Sequence, residues 1–485
     1  VWLEATKISL KGLLAHRSGI ELKPPLLPFH RPRPMHPADG VKVLPVPCTT
    51  LDGESAAIRE AVRGLMAAGS LPEPLPEAWG GYMDAGDWDR RSGHLRGTVL
   101  LLELYESAPV YWDKVALDLP DDEKRNRIPD LIDEALWNID FYGRLQMADG
   151  GVRGGIESTE HPRPGEASWQ ETLVLGAFAP DPISCYYFAA TAAQAGRLIA
   201  TADAARAKAL HAKAVKAWAW AEANGGANGT GKARQPDARA WAAAALLHAL
   251  PSDATASAWQ EAYAADNAIV RKGDQLAGEQ ALYAYARLPD GIGDAGMKAE
   301  ARAAVLRHAD AAMALQAGNA FAIGLPVKDL PPSGFVSYAT VPGNIARSLP
   351  RAYLLSGDER YLAATIQSCQ FGAGANPDNL VFTTGVGTEA VRHPLHCDTR
   401  VLGVEAPPGI TVYGHNEPTE NQGSMGWVFQ WFVGKQSTPN GKDWPMYEAY
   451  WDIYVVPQMN EYTVTQTIMP TAYTWGVLAS RPATP

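Results

Sequence analysis

The chain has 485 residues, 46% hydrophobic and 20% charged, which is ordinary for a globular protein and enough to bury a substantial core. A formal charge of −11 argues against nucleic acid or an anionic membrane surface as partner and suits a neutral small molecule or polymer. No run of about 18 apolar residues occurs, so no transmembrane helix is predicted. Cys48, Cys185, Cys369 and Cys397 stand far apart with no CxxC pair, which reads as isolated buried thiols rather than a zinc site or disulfide framework.

The first fifty residues hold one short helix near Ala5–Ala15 and then a Pro-rich, basic stretch (LKPPLLPFHRPRPMHP) that reads as an extended wrapping segment. Helical periodicity follows at Glu54–Ala67, Gly93–Glu106, Ile128–Gln146, Pro182–Thr201 and Ala204–Ala223. It continues at Asp237–Leu250, Ala254–Ala265, Asp274–Tyr285 and Met297–Ala317. The last third adds Gly343–Leu355, Glu359–Gly372, Asn421–Phe432 and Val464–Ala479. Gly, Pro, Asp or Asn punctuate the ends, and few strands are convincing. The pattern predicts one all-α domain over residues 1–485, with a toroid of six helix pairs fitting the count and the length. A monomer is the expectation. The chain begins at Val1 with no signal peptide in view, so a processed N-terminus is expected.

Residues 73–92, 148–182, 376–420 and 441–461 lack helical period and hold most of the unusual polar and aromatic residues. In a helical scaffold such loops build sites. The first, GGYMDAGDWDRR (Gly80–Arg91), crowds Asp84, Asp87 and Asp89 into six residues. Helix capping by Asp87 or Asp89, a cation loop, and paired carboxylates holding one water are three readings of it. An EF-hand is excluded because Leu95 stands where its last acidic ligand belongs. The second, YWDIYVVPQMNEYTVTQT, puts Glu461 beside Asn460 before an apolar helix, with Asp452 and aromatics around it. It reads either as an acid at a helix N-terminus or as a proton donor in a poorly solvated pocket. The third carries His393, His396 and Arg400, favoured as hydroxyl contacts over metal ligands because no third ligand is near. Separated carboxylates with hydroxyl-binding groups and aromatics are the equipment of glycoside hydrolysis.

The DAGD turn resembles the signature of glycoside hydrolase family nine. The resemblance extends to NRIPDLIDEALWNIDFYGRLQMADGGV (Asn126–Val152) and SCYYFAATAAQAGRL (Ser184–Leu198), then to RAYLLSGDERYLAAT, GANPDNLVFTTGVG, PPGITVYGHNEP and Asn460–Glu461. It covers nearly the whole chain, with a poorly matched middle at about residues 225–330. It implies an (α/α)6 barrel and inverting hydrolysis of β-1,4-linked glucans such as cellulose or mixed-linkage glucan. By resemblance Asp87 is the general base, Asp84 shares its water, Glu461 is the general acid, and His393, His396 and Arg400 fall in the substrate-binding region. Tyr82, Trp88, Trp169, Tyr413 and Trp427 are candidates for stacking on sugar rings. The substrate region departs from the family pattern at His396-Cys-Asp-Thr-Arg400, at Pro457 and at Gln466-Thr467, and Met35 replaces an expected zinc-ligand cysteine before His36. The sugar therefore stays open. An exo-acting glucosidase or glucosaminidase on short oligosaccharides is the rival enzyme, and a silent glycan-binding protein is the rival of another class. No cofactor is required, calcium could occupy a loop such as LPDDE (Leu119–Glu123), and an extracellular or periplasmic location is expected.

Overall fold

The computed structural model describes residues 1–53, 55–69, 71–85, 90–225, 235–272, 278–324, 347–415, 431, 435, 438 and 448–481. They form two compact units, one of residues 16–306 and one of residues 1–15 with 307–485. The predicted helix Asn421–Phe432 lies, but for Trp431, outside the described residues.

In the 16–306 unit come α2 (Ser55–Ala67), α3 (Leu95–Ser107), the single turn α4 (Pro109–Trp112), which the periodicity does not predict, α5 (Asp130–Arg144) and α6 (Pro182–Ile199). They are followed by α7 (Ala204–Asn224), α8 (Pro236–Ala249), α9 (Ala256–Lys272) and α10 (Gly278–Ala286), and α11 (Ala295–Ala317) has residues in both units. The side chains sort these helices into inner and outer members. α8 buries every residue from Ala238 to Leu247, and a helix buried all round belongs to an inner layer. α9 buries only Trp259, Ala262, Tyr263, Asp266, Asn267 and Val270, one stripe at three- and four-residue spacing, as an outer helix does. α6 starts sharply because Pro182 occupies its first turn and the Asp181 carboxylate accepts from Ser184 N at 2.8 Å.

A four-stranded sheet departs from the sequence expectation of scarcely any strand. Its order is β1 (Val43–Pro45), β4 (Leu175–Ala177), β3 (Gly155–Ser158), β2 (Arg90–Arg91). β1 runs parallel to β4, and the other pairings are antiparallel, with Arg90 opposite Ile156 and Ile156 opposite Ala177. Strands of two to four residues are too short to show alternation. Their stability comes from pairing across long sequence gaps and from α2, whose Ile58 and Val62 pack with Val46 and Phe178.

In the other unit, α1 (Trp2–Ala15) lies against the C-terminal helix Met469–Ser480, with the Trp2 and Trp475 rings 6.2 Å apart. Gly12 of α1 meets Gly409 so closely that a Cβ on Gly12 would lie 2.3 Å from the Gly409 carbonyl carbon. Only glycine fits there. α12 (Ser348–Ser356), α13 (Glu359–Gly372) and α14 (Cys397–Leu402) complete the helices of this unit, with a four-residue turn at Pro457–Asn460. Just past Glu461 the chain makes a wide π turn at Val464–Ile468 before the C-terminal helix begins. Ile468 N reaches back to Thr463 O at 3.2 Å, and Pro470, which lacks an N–H, enters the helix in its first turn.

Candidate active site

The DAGD turn is carried by a segment that pairs with residues 16–18: Ser18 N donates to Gly81 O at 2.9 Å and Met83 N to His16 O at 2.9 Å. Gly81 has φ 70°, and a Cβ on it would stand 2.7 Å from the Phe141 ring, so the first glycines of the motif serve the backbone. Ala85 also has a positive φ, 50°, which costs a side-chain-bearing residue and marks the turn as strained. Asp84 is 6% exposed, with Oδ2 2.9 Å from Nε2 of His94. Asp87, Trp88 and Asp89 lie outside the described residues.

Tyr82 is placed otherwise than a stacking platform requires. It is fully buried, its hydroxyl lies 2.6 Å from Glu134 Oε1, and no ring face is left for a sugar. Burial, with Glu134 alongside, pushes its hydroxyl well above the usual tyrosine range. Behind it Arg17, fully buried, forks onto Glu134 (3.1 and 3.0 Å) and onto Glu123 (2.5 and 2.9 Å), with its guanidinium 4.8 Å from the Trp137 ring centre. Both Glu123 oxygens are thus engaged by Arg17, and Asp121 of the same loop lies 3.7 Å from Arg125. Among the described residues no group of three His, Cys, Asp or Glu side chains is arranged to hold a metal ion. Trp169 sits half-buried on the turn Ser168–Gln170.

Glu461 sits in a different setting. It is half-buried and follows Pro457–Asn460; its N–H donates to Pro457 O at 2.8 Å and its C=O accepts from Tyr413 N at 3.0 Å. Neighbouring peptides are tied in the same way, Gly414 N to Met459 O at 2.9 Å and Leu395 N to Asn460 O at 2.8 Å. Asn460, fully buried, donates to Trp451 O at 2.7 Å and accepts from the Tyr450 hydroxyl at 2.8 Å. The Asp452 carboxylate accepts from the backbone N–H of Arg392 (2.8 Å) and His393 (3.0 Å). Residues 392–396, 411–415, 450–452 and 459–461 thus converge, and they bring His393, His396, Tyr413, Asp452 and Glu461 together.

Within that group exposure divides the candidates. His393 is exposed and open to a ligand. Arg400 is exposed, its guanidinium 4.6 Å from the Tyr454 ring centre. His396, 1% exposed, caps α14 by accepting from Thr399 N at 3.3 Å. Tyr413 is 2% exposed and donates to Gln466 Oε1 at 2.6 Å, which makes it a brace rather than a platform. Trp427 lies outside the described residues. Sequence reasoning gave no role to His94 or to His415, which is fully buried with Nε2 2.6 Å from Asp378 Oδ2. For His415, inside the quoted PPGITVYGHNEP, the motif was an available signal; His94, three residues past Arg91 in a predicted helix, offered none.

The family model for glycosyl hydrolase family 9 matches residues 15–466, and the chain belongs to that family. It is 29% identical over 352 residues to Endoglucanase C of Cellulomonas fimi, an alignment covering 65% of this chain and 30% of that protein. It is 26% identical over 385 residues to a xyloglucan-specific endo-beta-1,4-glucanase of Bacteroides ovatus, covering 71% of this chain and 62% of that one. The chain therefore spans less than two thirds of either relative. The crystal structure of the family 9 endoglucanase J30 superposes with a TM-score of 0.79 over 98% of this chain and 84% of that chain, at 19% identity. That likeness carries the fold, the (α/α)6 barrel expected from the helix count.

Proposed function

We propose that this protein hydrolyses β-1,4-linked glucans by a single inverting displacement, as a secreted, monomeric catalytic domain. Asp87 takes the proton from the attacking water, Asp84 shares that water, and Glu461 protonates the departing glycosidic oxygen. Inverting enzymes hold acid and base roughly 6.5–9.5 Å apart so that a water fits beside the anomeric carbon. The observation that carries the reading is the strained, buried turn that presents Asp84 beside His94, inside the span the family model matches and in the motif whose resemblance implies the catalytic aspartates. Strain of this kind persists where surrounding structure over-determines it, which is the condition of a preorganised site. The endoglucanase names of both relatives and the xyloglucan specificity of one support a glucan chain, plain or branched, as substrate.

Product profiling with anomer detection tests the proposal on cellulose, mixed-linkage glucan, xyloglucan, and cello- and chito-oligosaccharides. Release of α-anomers from a β-glucan is the expected result. First-turnover β-products would refute inversion, and turnover confined to chito-oligosaccharides would transfer the enzyme to glucosaminide substrates. Binding without any reducing-end release would leave a glycan-binding protein.

A further inference from the structure

The contact between His94 and Asp84 has a geometry that ordinary core packing does not call for. Both side chains are nearly sequestered, at 5% and 9% exposure, and Nε2 stands 2.9 Å from Oδ2. An ionised carboxylate can only accept, so Nε2 carries the hydrogen, and the orientation of the Asp84 carboxyl plane follows the imidazole. His94 itself is fixed independently of the DAGD turn. It ends the turn Ser92–His94. Ser92 N donates to Gly154 O at 2.9 Å, and the Ser184 hydroxyl lies 2.9 Å from that of Ser92. The His94 carbonyl accepts from Thr98 Oγ1 at 3.1 Å, and Asn138 Nδ2 donates to the same Thr98 oxygen at 2.8 Å. The peptide before β3, the start of α6 and the side of α5 therefore hold the backbone that carries His94, while Ala85, next to Asp84, keeps an unfavourable φ of 50°.

We infer that His94 is a positioning residue for Asp84: carried on a backbone tied to the sheet and to three helices, it donates to Oδ2 and sets the plane of the carboxyl group. The inference rests on the assignment of Asp84 to the reacting water made above. Without His94 the carboxyl group loses one donor that fixes its plane and, in a desolvated place, part of the support for its charged form. Charged groups on the elements around the pair include Arg91 with Glu157 at 3.4 Å across β2 and β3, Asp181 at the start of α6, Arg96 and Glu103 on α3, and Asp133 and Glu134 on α5.

The test uses the whole chain, with His94→Ala, His94→Gln and His94→Asn compared with wild type for kcat, KM and the pH profile of kcat on a soluble β-glucan. Gln can place an amide N–H near the Nε2 position, whereas Asn places its amide near Nδ1. For His94→Ala the expected result is a fall of about 10- to 100-fold in kcat with KM changed by less than about twofold, as for a group misplaced in the transition state. The acidic limb of the profile should move up by about one pH unit, the usual scale for a carboxylate losing one charge-supporting partner. His94→Gln should restore most of the rate and His94→Asn little of it. Wild-type kcat and pH profile in His94→Ala, with only a lower Tm, would overturn the inference and leave the hydrolase reading intact. If the Ala variant fails to fold, equal rates for Gln and Asn would overturn it. A wild-type protein inactive on every glycan would instead remove the assignment on which it stands.

Discussion

Asp84 and Glu461 sit in surroundings of different construction. The Asp84 side chain meets the His94 imidazole at 2.9 Å, on a turn whose backbone is strained at Ala85. Glu461 is held through its main chain, by Tyr413 N on its carbonyl and by its own N–H on Pro457 O, with the buried Asn460 bracing the preceding peptide. Main-chain ties fix where Glu461 sits along the chain, and the imidazole bears on which way the Asp84 carboxyl points.

Four experiments probe that contrast and the frame around it. The largest effect is expected for Glu461→Gln, which keeps the main-chain ties and removes only the proton. General acid catalysis contributes about 10²- to 10⁴-fold, so kcat on an unactivated glucan should fall by that factor while circular dichroism is unchanged. Wild-type turnover would end the assignment. Next comes Arg17→Ala, behind the Asp84 segment. It strands the fully buried Glu134 and should destabilise by about 3–5 kcal/mol in urea titration, the usual cost of removing one partner of a buried ion pair. A change below about 1 kcal/mol would show that water replaces the guanidinium.

Asn460→Ala removes the brace beside Glu461 and leaves the buried Trp451 carbonyl and Tyr450 hydroxyl without it. About 1–3 kcal/mol of stability should be lost, together with part of kcat. Loss of stability with no effect on rate would mean that the main-chain ties suffice. The smallest effect is expected for Arg400→Ala. An exposed guanidinium over an aromatic ring contributes about 0.5–1 kcal/mol, so Tm should barely move. A raised KM with unchanged kcat would place Arg400 against the substrate.

The same unit that holds Asp84 also carries a pH dependence unrelated to catalysis. Burial alone would push the Glu106 carboxyl up, but Arg287 and Arg197 beside it hold it at about 2, below its ordinary 4.5. A depressed carboxylate contributes stability that is present above its unfolded pKa and lost as pH falls toward the folded one. Tm should therefore decline as pH drops from 4.5 toward 2, and Glu106→Gln should flatten that decline. An identical acid profile in the variant would move the acid sensitivity to other carboxylates.

Much of this was legible in the residue pattern, and the failures have a common cause. α13 is found over Glu359–Gly372 as predicted, and α6 and α7 end within two residues of prediction, because a helix writes its period into neighbouring positions. The four short strands were not legible, since Arg90 needs Ile156 and Leu175 needs Val43 to become strand at all. Tyr82 sat in a loop rich in glycine and acid and read as a sugar platform. Its neighbour Glu134 lies 52 positions away, and that distant carboxylate turns the ring into core. His94 looked like any residue at the start of a helix until the turn brought Asp84 back to it.

Local order thus determined the helices, their caps, and the small set of carboxylates on which the chemistry is proposed to depend, because those properties need only neighbours along the chain. Which face each side chain presents, which aromatics are spent on packing, and what holds each carboxylate were decided by the tertiary structure. Burial and hydrogen bonding are made between residues tens to hundreds of positions apart, and no local pattern encodes their meeting.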